Sequence, residues 1–581
     1  MNSETKTCQN CKKEFTIEPE DFDFYERIQV PPPTWCPDCR LMRKMTWRNE
    51  RSLYQRNCDL TGKRVLSIFA PDSKVTVYDR DVWWSDQWDP LASGRPYDFK
   101  ETFFSQFRSL LERAPMPAIF NAQSENCEYT NHGGRSKDCY LVFGAWMNER
   151  VMYANKTWMS KDSLDVLSSS YVELSYEVIT GMKLYRMFFS ENSDSCNDSY
   201  FLYNCKGCSN CFGCSNLRNK SYCIWNEQCS PEEYVQKLKE FDLGSHEGLK
   251  RIKRDFNDLK LQTIRKFAFL VNAPDSTGDN LTNVKNCKSC FDLFDNAKDC
   301  KYTTNGGVIM SDIYDSYGPG EHVDLSYEVM DSGLNASRLI NGIVVWGGKN
   351  VLYSYNCHGC NDCFGCIGLR NKQYCILNKQ YSKEEYEELT PRIIDQMNTM
   401  PYVDQRGRTY GYGEFFPPEL SPFAYNETIA QEYFPLTKDE TMGRGYRWKD
   451  PNIKEYQVTI RSEDLPDNIK DVTDSIVNEV VGCEHAGRCL HQCVGAFKIV
   501  PQELQFYKRM NLPLPRLCPN CRHYERLKKR NPMKLWHRSC MCDRKNHFHG
   551  DSHCTVEFET SYAPDRPEIV YCESCYNSEI A

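Results

Sequence analysis

Through the middle of the chain, short stretches alternate apolar with polar residues and stop at corners built from Asn, Ser, Asp and Gly. ENCEYTN (125–131) returns twenty-four residues later as ERVMYAN (149–155), and SKDCYLVF (136–143) returns at the same spacing as SKDSLDVL (160–167). CNDSYFLYN (196–204) is followed after twenty-two residues by RNKSYCIWN (218–226). Short strands at a period of twenty-odd residues predict the coils of a β-solenoid, with a stacked, irregular antiparallel sheet as the competing arrangement. Where the alternation stops, Ser230 with Glu233 and Ser382 with Glu385 form capping boxes. They open helices over about 231–241 and 383–398. The charged run 246–270 flanks the first copy.

Longer repeats divide the chain. Residues around 174–234 recur about 150 positions later: Leu174-Ser-Tyr-Glu177 returns as Leu325-Ser-Tyr-Glu328, and a five-cysteine block (205–226) returns as 357–378. The ends are duplicated as well. CKKEFTIEPEDFDFYERIQVPPPTWCPDCR (11–40) aligns without a gap with CVGAFKIVPQELQFYKRMNLPLPRLCPNCR (493–522), and LSIFAPDSKVTVYDRDV (66–82) parallels FETSYAPDRPEIVYCESC (558–575). The resulting division is a treble-clef module (1–57), a degenerate ribbon plus helix (58–120), a first solenoid (121–229) and a helical connector (230–280). A second solenoid (281–380), an irregular connector (381–480), a second treble clef (481–539) and a ribbon (540–581) follow.

Composition decides how the cysteines are read. Among 581 residues there are 32 Cys, yet the chain opens MNSETKTCQNC without an apolar signal segment, and no stretch approaches a membrane span. In the reducing cytoplasm, the expected location, cysteines bind metal more often than they form disulfides. A net charge of −8 confines any nucleic-acid contact to local patches.

Cys8-x2-Cys11 and Cys36-x2-Cys39 form two doublets that suit tetrahedral zinc, and the helix expected after the second doublet completes a treble-clef pattern. The C-terminal copy offers Cys489, Cys493, Cys518 and Cys521, with Cys483 and His485 competing for the first position. A third set is Cys572 and Cys575 with Cys554 and either Cys542 or Cys540, while His547, His549 and His553 are weaker donors. In the degenerate ribbon, Asp79 and Val82 face Cys572 and Cys575, so the frame remains without its metal. Two or three structural zinc ions are therefore expected. A catalytic, nuclease-like use of the HFHGDSH segment is the alternative. The CPxCR doublets and the phrase APDRPEIVYCxxCY resemble an uncharacterised bacterial zinc-ribbon and treble-clef family. The resemblance implies modules and no particular activity. This chain departs from that pattern by carrying Asp551 where a doublet partner of Cys554 would stand.

Arg40, Lys44 and Arg48 follow the first doublet at i, i+4, i+8, and Arg522, Arg526 and Arg530 repeat the stripe. Beside Trp47 or Trp536, such a stripe could track a phosphate backbone and stack on bases. The alternative is a solvated face, or arginines bridging to the acidic bulk of the same molecule. The central runs Cys205, Cys208, Cys211, Cys214 and Cys357, Cys360, Cys363, Cys366 admit three readings: a ferredoxin-type cluster, zinc, or small apolar residues packed inside crowded coils, the last being favoured. Asp162, Asp165 and Glu177 supply carboxylates without a reason to pair them. The expectation is a zinc-binding scaffold contacting nucleic acid or a ribonucleoprotein. A protein–protein adaptor is the first alternative and a metal- or cluster-dependent enzyme the second.

Overall fold

The computed structural model describes residues 2–450 and 456–580; residues 451–455, inside the 381–480 connector, and the two terminal residues lie outside the described residues. Two β-solenoids form the centre. An eight-stranded sheet runs from Asn155–Trp158 to Glu227–Gln228, and a ten-stranded sheet from Leu270–Val271 to Lys379–Gln380. Strands pair in parallel until an antiparallel hairpin closes each sheet.

The coil is half the length that the sequence repeats suggest. Leu167 pairs with Asn155 on one side and Ile179 on the other, so one coil takes twelve residues. The second solenoid keeps twelve at Gly278–Cys290 and Asn361–Gln373, and widens to thirteen at Met310–Val323 and Val323–Ala336. The spacing of twenty-four spans two coils. The spacing of twenty-two between 196–204 and 218–226 matches no whole number of coils, and Asn197 pairs with Ser209 instead.

Within a coil the unit is three residues. Asp138, Leu141, Gly144, Met147, Arg150 and Tyr153 all have positive φ, and the residue after each turns inward: Cys139, Val142, Ala145, Asn148, Val151 and Ala154 are buried. A left-handed conformation costs a non-glycine residue about 1–2 kcal/mol. The inter-coil ladder offsets this, as in Tyr140 N–H to the Val151 carbonyl (3.1 Å) and Leu141 N–H to that of Glu128 (3.1 Å).

The inward residue's own N–H points into the core, where water cannot reach it, and a side chain one coil earlier accepts it. Met187 N–H donates to Ser175 Oγ (3.0 Å), Cys211 N–H to Ser199 Oγ (2.9 Å) and Cys208 N–H to Cys196 Sγ (3.4 Å). Those groups pass their hydrogens on to the carbonyl two residues back: Ser199 to Asn197 (2.7 Å) and Cys196 to Asp194 (3.3 Å). A small side chain that both accepts and donates therefore suits the interior, and serine and cysteine meet that need. Cys205, Cys208, Cys211 and Cys214 fill the inward positions of one coil, which is why they are spaced by three. Cys208→Ser keeps the donor and acceptor and should change stability by no more than about 1 kcal/mol. Cys208→Leu overpacks the coil and should cost about 1–3 kcal/mol. Urea unfolding of both variants checks this; a serine variant as damaged as the leucine one would refute the packing role.

Helices Pro231–Leu238 and Lys383–Thr399 open on the expected capping boxes. They set Tyr234 against Tyr222 and Tyr386 against Tyr374, with ring centroids 5.8 and 5.9 Å apart. Helix His246–Gln262 ends before the charged run does, because Arg265–Lys266 becomes a strand beside Val570–Tyr571. The terminal modules dock crosswise. The N-terminal clef lies on the second solenoid, with Phe24 stacked on Tyr314 (3.8 Å) and Tyr25 edge-on to Tyr327 (5.6 Å). The C-terminal clef lies on the first, where Tyr507 meets Tyr176 (5.7 Å). Tyr176 and Tyr327, the tyrosines of the two Leu-Ser-Tyr-Glu motifs, are thus equivalent anchors.

Candidate metal centres and the buried arginine stripes

Cys8 immediately follows the strand Glu4–Thr7, Cys11 stands in the turn leading to Glu14–Ile17, and Cys36 and Cys39 open the helix Pro37–Met45, which Cys36 caps. All four sulfurs lie within 4.8 Å of one another. Cys11 and Cys36 are 3.7 Å apart, close to the edge of roughly 3.8 Å that four sulfurs about 2.3 Å from a tetrahedral ion would have. The Cys36 N–H donates to Cys8 Sγ (3.2 Å) and Asn10 Nδ2 to Cys39 Sγ (3.3 Å). Hydrogen bonds from the Cys36 and Cys39 thiols pull the Cys8 pKa far down while the Cys36 and Cys39 thiols are themselves pushed up, so one sulfur of the set carries the charge before any ion arrives.

The second quartet is Cys483, Cys493, Cys518 and Cys521. Cys483 rather than Cys489 takes the first position, which corrects the expected set. The Cys518 N–H donates to Cys483 Sγ (3.3 Å), as Cys36 does to Cys8, and the edges Cys483–Cys521 and Cys493–Cys518 measure 3.8 and 3.9 Å. The loop between Cys483 and Cys493 carries Cys489 to the other side of Cys521 (3.7 Å), where it gathers with His485 and His491.

Cys540, Cys554, Cys572 and Cys575 make the third quartet. Of the two candidates for the fourth position, Cys540 joins this set and Cys542 does not. Cys540 immediately follows the strand Trp536–Ser539 and accepts the Cys572 N–H (3.2 Å), whereas Cys542 turns toward His549 (3.4 Å). The degenerate ribbon keeps this frame: Asp79 N–H reaches Cys58 Sγ at the same 3.2 Å, with Asp79 and Val82 at the lost ligand positions. His491 is the donor that the sequence reading passed over. The alternation Cys483-x-His485-x3-Cys489-x-His491-x-Cys493 was its available signal.

Among the described residues the central cysteines form no group whose donors all approach within 4.8 Å. Cys205, Cys208, Cys211 and Cys214, and their counterparts Cys357, Cys360, Cys363 and Cys366, each donate to the carbonyl two residues back. A cluster or zinc ion in these blocks has no converging quartet to rest on.

The two stripes face inward. Arg40, Lys44, Arg48, Arg522 and Arg526 are each no more than 5% exposed, and Arg530 is half-buried. Arg40 Nε donates to Asp315 (2.8 Å), Arg43 clamps Glu328 (2.8 Å) and Glu414 (2.7 Å), and Arg48 pairs with Glu50 and Asp331 (2.6 Å each). Lys44 lies 3.7 Å from Glu328, and burial pushes its pKa down to about 8. On the other side Asp165 receives Arg522 (3.1 Å) and Arg526 (2.5 Å), and Arg530 meets Asp292 (2.6 Å). Trp47, buried against Tyr355 and Phe416, cannot stack on a base. The assignment of these six side chains to phosphate contact is corrected: their helices use the basic face to dock on the solenoids, the bridging to the molecule's own acids that the sequence left as the alternative. Asp162 pairs with Arg150 and Glu177 with Lys253, so these carboxylates too are engaged by cations.

Where helix His246–Gln262, the first solenoid and the C-terminal modules meet, a cavity of about 260 Å³ opens. Lys260, Arg265, Lys528, Lys529, Arg530 and Arg566 line it against Glu191, Asp279 and Glu568. Among the described residues no helix is long and apolar enough to cross a membrane. Comparison of the sequence with family models and with curated proteins returns no match to either.

Proposed function

We propose that the protein is a cytoplasmic scaffold assembled by zinc, which holds an anionic partner, nucleic acid or a ribonucleoprotein, on its surface. The observation that carries this reading is the coupling of closed four-cysteine sets to docking helices. Each clef doublet starts the helix whose arginines enter the solenoid, so the ion that sets the doublet also sets the interface. Zinc suits thiolates at these separations, and a set of four protein sulfurs leaves no open position for a reacting water.

With the stripes internal, the anionic partner would meet other cations. Even without Arg530 the cavity lining carries more positive than negative side chains, and Lys250, Arg251 and Arg254 project from the exposed face of the adjoining helix. A fluorescent single-stranded RNA should bind with an affinity that falls steeply from 50 to 200 mM salt, the mark of phosphate contacts. Lys250→Glu with Arg254→Glu should weaken it about tenfold or more, uniformly across sequences. Binding indifferent to salt and to these charges, or none at 50 mM salt, would dismiss the nucleic-acid reading.

A protein adaptor is the second reading, favoured by an exposed apolar cluster on the outer face of the first solenoid. Met159, Tyr171, Met182 and Tyr185 occupy neighbouring ladders, Tyr171 and Tyr185 being 51% and 43% exposed.

A further inference from the structure

We propose that each of the two C-terminal quartets is one half of a dinuclear zinc centre in which a single thiolate, Cys521 or Cys575, bridges two ions. The proposal rests on the zinc reading above and extends it to residues outside the quartets.

Around Cys521 two groups of donors close. On one side are the remaining sulfurs of the quartet, with Cys483 at 3.8 Å. On the other are His485, Cys489 and His491, with Cys489 at 3.7 Å. Around Cys575 the arrangement repeats with Cys542, His547 and His549, and His549 Nε2 stands 3.4 Å from Cys542 Sγ. A sulfur and an imidazole nitrogen bound to one tetrahedral zinc are about 3.6 Å apart, so these are ligand-to-ligand distances. Nδ1 of all four histidines is buried and without a hydrogen-bond partner, a condition that coordination through that nitrogen relieves at His485, His491 and His547, while His549 meets Cys542 through Nε2.

The two centres share one inventory, five cysteines and two histidines, although one is a clef and the other a ribbon. In both, the bridging residue is the second cysteine of the Cys-x2-Cys doublet, and the three added donors lie in the loop between the first two quartet ligands. The N-terminal duplicates serve as internal controls. Cys8 and Cys11 enclose two residues, whereas Cys483 and Cys493 enclose nine. Likewise six residues join the hairpin strands Tyr54–Asn57 and Arg64–Ser67, against seventeen between Trp536–Ser539 and Glu557–Thr560. Each lengthened loop supplies the three donors that a second ion needs. Sharing one sulfur gives both ions four ligands from seven residues. Two zinc ions against five thiolates leave the buried centre at −1, where a lone zinc with four thiolates carries −2. Both added sites are closed and structural, pinning loops that would otherwise be held by few contacts.

Native mass spectrometry of the full-length chain counts the ions. Five zinc ions are expected. The pair His485→Ala and His491→Ala should lower the count to four, as should His547→Ala with His549→Ala, while Cys208→Ser leaves it at five. In the cadmium-113 form, bridging through sulfur should give two scalar-coupled pairs of resonances and one uncoupled resonance, a readout independent of folding losses in the variants. A count of three that the histidine substitutions do not move, with uncoupled cadmium signals, overturns the inference and leaves the zinc scaffold standing. A chain that binds no ion overturns both.

Discussion

Cys518→Ser should release the ion held by the four-cysteine set of the C-terminal clef and unfold that module. Cys518 is fully buried, caps the helix Pro519–Leu527 and supplies one of the four sulfurs. A structural zinc site in a small module contributes on the order of 10 kcal/mol. That approaches the whole stability of an ordinary domain, and a clef with one hairpin and two short helices has little core to replace it. The loss should spread, because Arg522 and Arg526 would leave Asp165 buried without a partner in the first solenoid. Calorimetry should show the variant melting well below the parent with a separate, earlier transition, and metal analysis should show the missing zinc. Cys208→Ser, the same chemical change inside a coil, should do neither. Equal behaviour of the two variants would show that Cys518 is only a packed thiol.

The second large effect belongs to Asp165. Asp165→Asn preserves volume and removes one charge, leaving the buried Arg526 guanidinium facing a neutral amide while Arg522 keeps only Glu503 (3.2 Å). Breaking a buried pair in this way costs about 3–5 kcal/mol. Asp315→Asn, beside Arg40 and one coil from Glu328, should cost a similar amount on the other side. Replacing the whole set, which includes Glu503 3.2 Å from Arg522, as Asp165→Leu and Glu503→Leu with Arg522→Met and Arg526→Met, should recover most of the loss, since apolar residues of similar size often match a buried ion pair. Denaturant unfolding of the three variants measures this directly. A loss below about 1 kcal/mol for Asp165→Asn would mean that the docking does not depend on the ion pairs.

Much of the architecture was written in visible repeats. The gapless match of 11–40 with 493–522 marked equivalent clefs, and Phe24-Tyr25 and Phe506-Tyr507 prove to be equivalent anchors. The capping boxes at Ser230 and Ser382 placed two helices because their hydrogen bonds are local. The coil period was hidden because the polar corners look alike at two coils as well as at one. The inward residues of the triplets are mostly Ser, Cys, Val, Ala and Gly, which share small size more than hydropathy, with Asn148, Leu184, Met187 and Leu202 interrupting the pattern. Ligand identity in the second and third sets depended on loop paths. Cys489 and Cys542 have acceptable spacings, and only the return of the chain past Cys521 and Cys575 sends them to the far side. The fate of the arginine stripes depended on contacts with partners more than 200 residues away, as Arg530 with Asp292, which no local pattern reveals.

That an ion at each clef doublet fastens the following helix into a solenoid is tested most directly by hydrogen–deuterium exchange of the zinc-loaded and chelated full-length protein. Amides of the helices Pro37–Met45 and Pro519–Leu527 should lose protection when zinc is removed, while those of the inner coils around Met187 and Cys211 keep theirs. Helices that remain equally protected without metal would contradict the account.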